Sequence, residues 1–231
     1  MPLTNVVGEL GTGKTMTAVY LMFRNWFFKG QKLYSNIHLF RLPFIYVTSV
    51  KQLDEAREGY ILLDELWSFC DARMSKSKKN IFTANILARS RKRHLTYVST
   101  SQVADALESR IRKVLDFTFY PVLNREETVM KVMVFRGGYV KQQHYMKTIY
   151  YRTAMMKLLY WTDEEVWMDD YDENAQAEIP KIIFQENYNE KHGFCCQCKD
   201  CRTVFFETWE EADKYANAYY QKNIENVKRM L

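Results

Sequence analysis

The stretch Gly8-Glu9-Leu10-Gly11-Thr12-Gly13-Lys14-Thr15 carries the strongest chemical signal in the chain. It fits the spacing G-x-x-x-x-G-K-[ST] at every position. Glycines let the backbone curl so that successive N–H groups converge on phosphate oxygens, and a following helix adds the positive end of its dipole. Lys14 can then reach the β- and γ-phosphates of ATP, and the Thr15 hydroxyl can ligate Mg²⁺. Gly8, Gly11, Thr12, Gly13, Lys14 and Thr15 are therefore the expected nucleotide-binding residues.

A second group stands fifty residues beyond Lys14, where the apolar run Tyr60-Ile61-Leu62-Leu63 ends in Asp64-Glu65. A short apolar run of this kind, bounded by Gly59, predicts a strand buried on both faces, with the acids at its C-terminal end where ligands of α/β sheets sit. Asp64 is expected to hold Mg²⁺ through water and Glu65 to act as general base on the attacking water. Taken without the upstream loop, the same six residues would read as a strand end with solvated carboxylates. A third group, Thr100-Ser101-Gln102, closes the β-branched run Leu95-Thr96-Tyr97-Val98-Ser99. Gln102 at that tip can touch the γ-phosphate or the attacking water; the competing reading is a turn residue before Val103.

The last chemical cluster is His192, Cys195, Cys198 and Cys201, spaced every third residue, with Cys196 beside them. Cys-x-x-Cys turns can present thiolates to one Zn²⁺. No histidine lies on the helix that follows, so all four ligands would have to come from this one knuckle or from a neighbouring chain; free thiols in a reducing compartment are the alternative.

These groups need a scaffold, and the pattern supplies an α/β one. Pro2 to Val7 predicts a strand feeding the loop, and Met16 to Phe28 a helix leaving it. Lys32–Ser35 and Phe44–Thr48 predict short strands, Val50–Arg57 a helix opened by Ser49, Asn80–Lys92 and Ala104–Val114 two more helices, and Phe117–Leu123 a closing strand. Such alternation places helices on both faces of a mainly parallel sheet. Thr128–Phe135, the Gly137-Gly138 turn and Tyr139–Tyr145 predict a hairpin that extends the sheet in antiparallel fashion. Residues 1–178 are expected to form the nucleotide-binding domain and 179–231 a small Cys-rich C-terminal module. There, Thr208-Trp209-Glu210-Glu211 reads as a capping box opening a helix through Tyr219.

Composition narrows the class. The chain of 231 residues is 47% apolar and 26% charged, the balance of a globular protein rather than a disordered one. The first strand begins almost at Met1, and the richest apolar window, Leu21–Phe28, is broken by Arg24 and Asn25; neither a cleaved leader nor a membrane span is expected. Five cysteines without a secretory signal point to a reducing compartment. The net charge of +5 is unevenly spread. Between Ala72 and Val114 eleven basic residues face two acids, whereas seven of the eleven positions from Asp163 to Glu173 are acidic. A basic concentration beside a nucleotide site suits a polyanion track, against the plainer reading of a solvated helix face.

These motifs together resemble the FtsK/HerA branch of P-loop ATPases. The likeness rests on the phosphate loop, Ser35-Asn36-Ile37 after the second strand, and Leu63-Asp64-Glu65 followed by aromatics. Ser90-Arg91-Lys92-Arg93-His94 and Thr100-Ser101-Gln102 add to it. Within that branch the chain is most similar to zonula-occludens-toxin-like assembly ATPases of filamentous phages and to genome-packaging ATPases of DNA viruses, over Leu3 to Leu123. The resemblance implies a RecA-like domain that hydrolyses ATP with Mg²⁺, assembles into a homo-oligomeric ring of five or six and translocates double-stranded DNA. It implies work in the host cytoplasm or on the virion, with a capsid or portal protein as a further partner. Family members receive an arginine from the adjacent subunit. Arg91, Arg93, Arg110 and Arg112 compete for that role, with Arg93 and Arg112 first because they flank the Gln102 strand. An assembly or secretion ATPase and a nucleotide-switched DNA-binding module are the alternative functions.

Overall fold

A computed structural model describes residues 2–66, 78–102, 107, 109–138, 142–160, 182–185, 188–189, 193–194 and 203–230. In chain order the elements are β1 (Leu3–Val7), α1 (Lys14–Lys29), β2 (Leu33–Ser35), β3 (Phe44–Tyr46), α2 (Val50–Glu55) and β4 (Gly59–Leu63). There follow α3 (Lys78–Ala88), β5 (Leu95–Ser101), α4 (Ser109–Val114), β6 (Phe117–Leu123), β7 (Val129–Arg136) and β8 (His144–Arg152). The tail adds β9 (Ile182–Gln185), β10 (Tyr188–Asn189), β11 (Gly193–Phe194), β12 (Thr203–Phe206) and α5 (Trp209–Met230).

Ten of the described strands form one sheet in the order β12-β9-β3-β2-β4-β5-β1-β6-β7-β8. The six strands from β3 to β6 in that order are parallel, and the flanking pairs on both sides are antiparallel. The mixed, mostly parallel sheet is the α/β architecture that the alternating sequence implied. Every residue of β1, β4 and β5 is buried, which explains why these strands read as continuous apolar or β-branched runs rather than as alternating ones. Polar residues inside them are paired. Asn5 Nδ2 donates to Ser101 Oγ at 2.8 Å, and Ser99 Oγ donates to Asn5 Oδ1 at 2.9 Å, which ties β1 to β5 below the phosphate loop.

Helix α1 buries Met16, Val19, Met22 and Trp26 against the sheet, the spacing of a single helix face. It ends at Gly30, whose φ of 62° and N–H bond to the Trp26 carbonyl form a left-handed cap. On α2, Ser49 and Gln52 cap one another reciprocally.

The hairpin of β7 and β8 extends the sheet as expected; its second strand runs over His144–Arg152, and Tyr139 lies outside the described residues. Pairing resumes at Arg136 and His144, so Gly137-Gly138 opens a longer connection and is not a two-residue turn. The reason is steric. A Cβ on Gly138 would lie 2.2 Å from the Arg112 carbonyl oxygen, so this glycine serves the close approach of α4.

Strands from beyond residue 178 complete the opposite sheet edge. β9 pairs with β3 and with β12, and α5 packs over them. Tyr220 Oη accepts from the Leu33 N–H at 2.8 Å and donates to the Pro43 carbonyl at 3.0 Å, while Lys32 and Asp213 form an ion pair at 3.0 Å. The tail is therefore bonded directly to the sheet that carries the phosphate loop. His192, Cys195, Cys198 and Cys201 lie outside the described residues. Among the described residues no helix is long and apolar enough to cross a membrane.

Candidate active site

The loop from Gly8 to Gly13 joins β1 to α1 at the C-terminal edge of the parallel strands. Gly11 and Gly13 take φ values of +76° and +87°, the left-handed region open to glycine. Gly13 is the N-cap of α1, and a Cβ there would fall 2.1 Å from Met130 Cε on β7. Its second requirement is therefore space. The loop is closed by Thr12 Oγ1 donating to the Glu9 carbonyl at 2.8 Å, and Gly8 N–H reaches the Ser101 carbonyl at 3.4 Å. Lys14 Nζ donates to the same Glu9 carbonyl at 2.9 Å, which keeps the ammonium over the loop. Burial pushes the Lys14 pKa below its ordinary value, opposed by the carboxylates of Asp64 and Glu65.

Topology brings the acids to this loop. β5 lies between β1 and β4, and the register sets its C-terminal tip between theirs, with Asp64 beside Thr100 and Gly8 beside Gln102 two residues further along. Thr15 Oγ1 lies 3.2 and 3.1 Å from the two Asp64 carboxylate oxygens. Thr100 Oγ1 donates to Asp64 Oδ1 at 2.6 Å and accepts from the Glu65 N–H at 2.9 Å. Asn36 fixes the Asp64 main chain from the other side: its Nδ2 donates to the Asp64 carbonyl at 3.0 Å and its Oδ1 accepts from the Asp64 N–H at 2.8 Å. Burial raises the Asp64 carboxyl to about 6, against the opposing effect of the Thr100 and Thr15 hydroxyls. A buried carboxylate and a hydroxyl within hydrogen-bond distance form a hard-oxygen pair suited to Mg²⁺, which binds one or two protein oxygens and otherwise phosphates and water.

Glu65 stands one residue past this pair with φ of +52°. That conformation costs a residue with a Cβ about 1–2 kcal/mol. Such outliers concentrate where function dictates the backbone. The half-buried Glu65 is close enough to Lys14 to act on its charge. Gln102, also half-buried, follows the last residue of β5.

The structure thus brings Gly8–Thr15, Asp64, Glu65 and the β5 tip together. Thr100 and Asn36 complete the group, and sequence reasoning gave neither a role. Their signal was a hydroxyl and an amide at the tips of two strands flanking the Asp64 strand. The arginines lie elsewhere. Arg93 ends a 3-10 turn (Ser90–Arg93) before β5, pairs with Asp54 and has a side chain only 11% exposed. Arg91 pairs at 2.7 Å with Asp116, whose other oxygen accepts from Leu3 N–H at the start of β1. The Arg112 carbonyl abuts Gly138, next to the residue bonded to Asp116. All three therefore sit at the edge where the parallel strands begin, opposite the phosphate loop of their own chain. Arg110 is exposed on α4.

No protein-family model and no characterised protein matches the sequence. Solved structures do. The N-terminal domain of zonular occludens toxin from Neisseria meningitidis superimposes with a TM-score of 0.52 and 15% identity, over 70% of this chain and 100% of that one. This chain shares the fold of that domain. A looser likeness, with a TM-score of 0.47 and 10% identity, links it to the genome packaging NTPase of Sulfolobus turreted icosahedral virus 2 in complex with ATP-gammaS; it covers 64% of this chain and 98% of the other. Sequence identities this low make the likeness one of fold.

Proposed function

We propose that the P-loop domain hydrolyses MgATP and converts the cycle into movement of DNA, with packaging of a viral genome as its task. The observation that carries the hydrolytic part is the group formed by Thr15, Asp64, Thr100 and Glu65. Lys14 and the loop N–H groups would hold the β- and γ-phosphates. Thr15 and Asp64 would hold Mg²⁺, whose charge offsets that of the phosphates when it is bound. Glu65 would take the proton of the attacking water, and Gln102 would orient that water at the γ-phosphate.

The DNA part rests on charge and on the resemblance to packaging ATPases. Arg89, Arg91, Lys92, Arg110 and Lys113 are exposed, in a stretch almost free of acids. In a ring the trans-acting arginine would be one of Arg91, Arg93, Arg110 and Arg112, with Arg93 and Arg112 the first to test. Work in the host cytoplasm or on the virion, with a capsid or portal partner, belongs to the same reading.

Duplex DNA should stimulate steady-state ATP turnover, and Lys14→Ala should abolish tight ATP binding. Turnover that ignores DNA would favour an assembly or secretion ATPase. ATP binding without turnover under any condition would favour a nucleotide switch.

A further inference from the structure

The three strands β6, β7 and β8 have two faces of different character. Met130, Val132 and Val134 are buried with Tyr151, which stacks on Tyr20 at 4.0 Å and whose hydroxyl pairs with Thr17 at 3.0 Å. That face is the one turned to α1. Register sends the alternate residues to the other side, where Lys131 stands opposite Tyr150 and Phe135 opposite Tyr145. There the rings of Tyr120, Phe135 and Tyr145 form a row across all three strands, in edge-to-face contacts of 5.4 and 5.7 Å. Tyr145 is 59% and Tyr150 64% exposed. Large aromatic rings left this open on a sheet face are a binding feature rather than a packing one.

Charge on these strands has one sign. Residues 117–123, 129–136 and 144–152 contain no Asp or Glu, but they include Lys131, Arg136, Lys147 and Arg152. Lys131 and Arg152 share the face with the exposed tyrosines. Aromatic rings interleaved with cations on an open sheet match a polyanion that also offers flat rings. Duplex DNA keeps its base faces stacked inside the helix, whereas a single strand can lay bases on tyrosines. We propose that this face is a binding platform for single-stranded nucleic acid, separate from the Ala72–Val114 basic stretch. The proposal rests on the DNA-handling function above and adds a site and a strandedness to it. Strand β7 also links platform and nucleotide: Lys131 faces the platform while the adjacent Met130 packs on Gly13 of the phosphate loop.

The test is fluorescence anisotropy of the full chain with a labelled oligothymidine of about twenty nucleotides, longer than the site of one sheet module, and with a duplex of equal length. The parent should bind the single strand more tightly. Tyr145→Ala with Tyr150→Ala should weaken that binding by at least about 25-fold, at roughly 5-fold or more per lost stack. Tyr145→Phe with Tyr150→Phe should retain parental affinity, because the rings remain. Lys131→Gln with Arg152→Gln should lower the salt slope by about 1.4, at about 0.7 per phosphate contact on single strands. Thermal unfolding midpoints report folding of each variant, and the Phe and Gln pairs keep the test open should the Ala pair unfold. Parental oligothymidine affinity in the Ala pair overturns the proposal. So does an altered oligomeric state with unchanged oligonucleotide affinity, the outcome for a face that binds protein. If duplex DNA still stimulates ATP turnover in those cases, only the platform falls. If no nucleic acid binds and none stimulates turnover, the DNA-handling function falls with it.

Discussion

Thr100 occupies the central position among the candidate site residues although it would touch no phosphate. One hydroxyl donates to the Asp64 carboxylate and accepts from the Glu65 N–H, so it orients both acids at once. Thr100→Val keeps the shape of the side chain and removes both bonds. Hydrogen bonds to charged groups are worth about 1.5–3 kcal/mol, so turnover at fixed Mg²⁺ should fall roughly 10- to 150-fold. Thr100→Ser should recover most of it, and a steady-state ATPase assay with a Mg²⁺ titration reads both. The Asp64 carboxyl, raised to about 6 by burial, gives a pH signature. Its neutral form is favoured in the folded chain, so folding is relatively more stable below the ordinary carboxyl range, and this contribution is lost as pH rises through about 6. Metal binding runs the other way, since Mg²⁺ needs the carboxylate. Mg²⁺-dependent ATP affinity should therefore weaken as pH falls through about 6, and an affinity flat from pH 7 to 5 would contradict the assigned ligand. The phosphate loop and the two acids were legible in the sequence because their spacing is rigid. Asn36 and Thr100 were not, because their partners lie 28 and 36 residues away and only the sheet order brings them together.

At the scale of elements, the central strands were readable for a physical reason: strands buried on both faces carry unbroken apolar or β-branched runs, as in Tyr60–Leu63 and Leu95–Ser99. Their order could not be read so directly. The position of β5 between β1 and β4 is a long-range pairing, and it is what sets Gln102 beside the phosphate loop. The hairpin was misplaced at β8 because a Gly-Gly pair reads as a tight turn, whereas Gly138 admits the backbone of α4. Gly138→Ala would set a Cβ against the Arg112 carbonyl and the Leu115 side chain. It should destabilise the fold by about 1–3 kcal/mol, the usual range for forced overpacking. A denaturant midpoint that does not move would contradict this packing role.

For the whole molecule, the tail carries bonds to the sheet that no local sequence pattern announced. Its cysteines drew attention as a separate module, and that reading stands on spacing alone. The structural signal of the tail was Tyr220, a buried tyrosine whose hydroxyl satisfies the Leu33 N–H at the start of β2. No local pattern announces a bond across 187 residues. Tyr220→Phe leaves that buried N–H without its acceptor and should lower stability by about 1–3 kcal/mol in one cooperative transition with the P-loop domain. A separate early transition would instead mark the tail as independent. Above the single chain, a ring with a shared site predicts turnover per subunit that rises with protein concentration. The account as a whole depends on chemistry at Glu65. Its most direct test is steady-state MgATP turnover by Glu65→Gln beside the parent, with duplex DNA present and ATP binding measured in parallel. Retained ATP binding with turnover at least about 100-fold slower is the predicted result, in keeping with the loss of a general base. Turnover at the parental rate would contradict it.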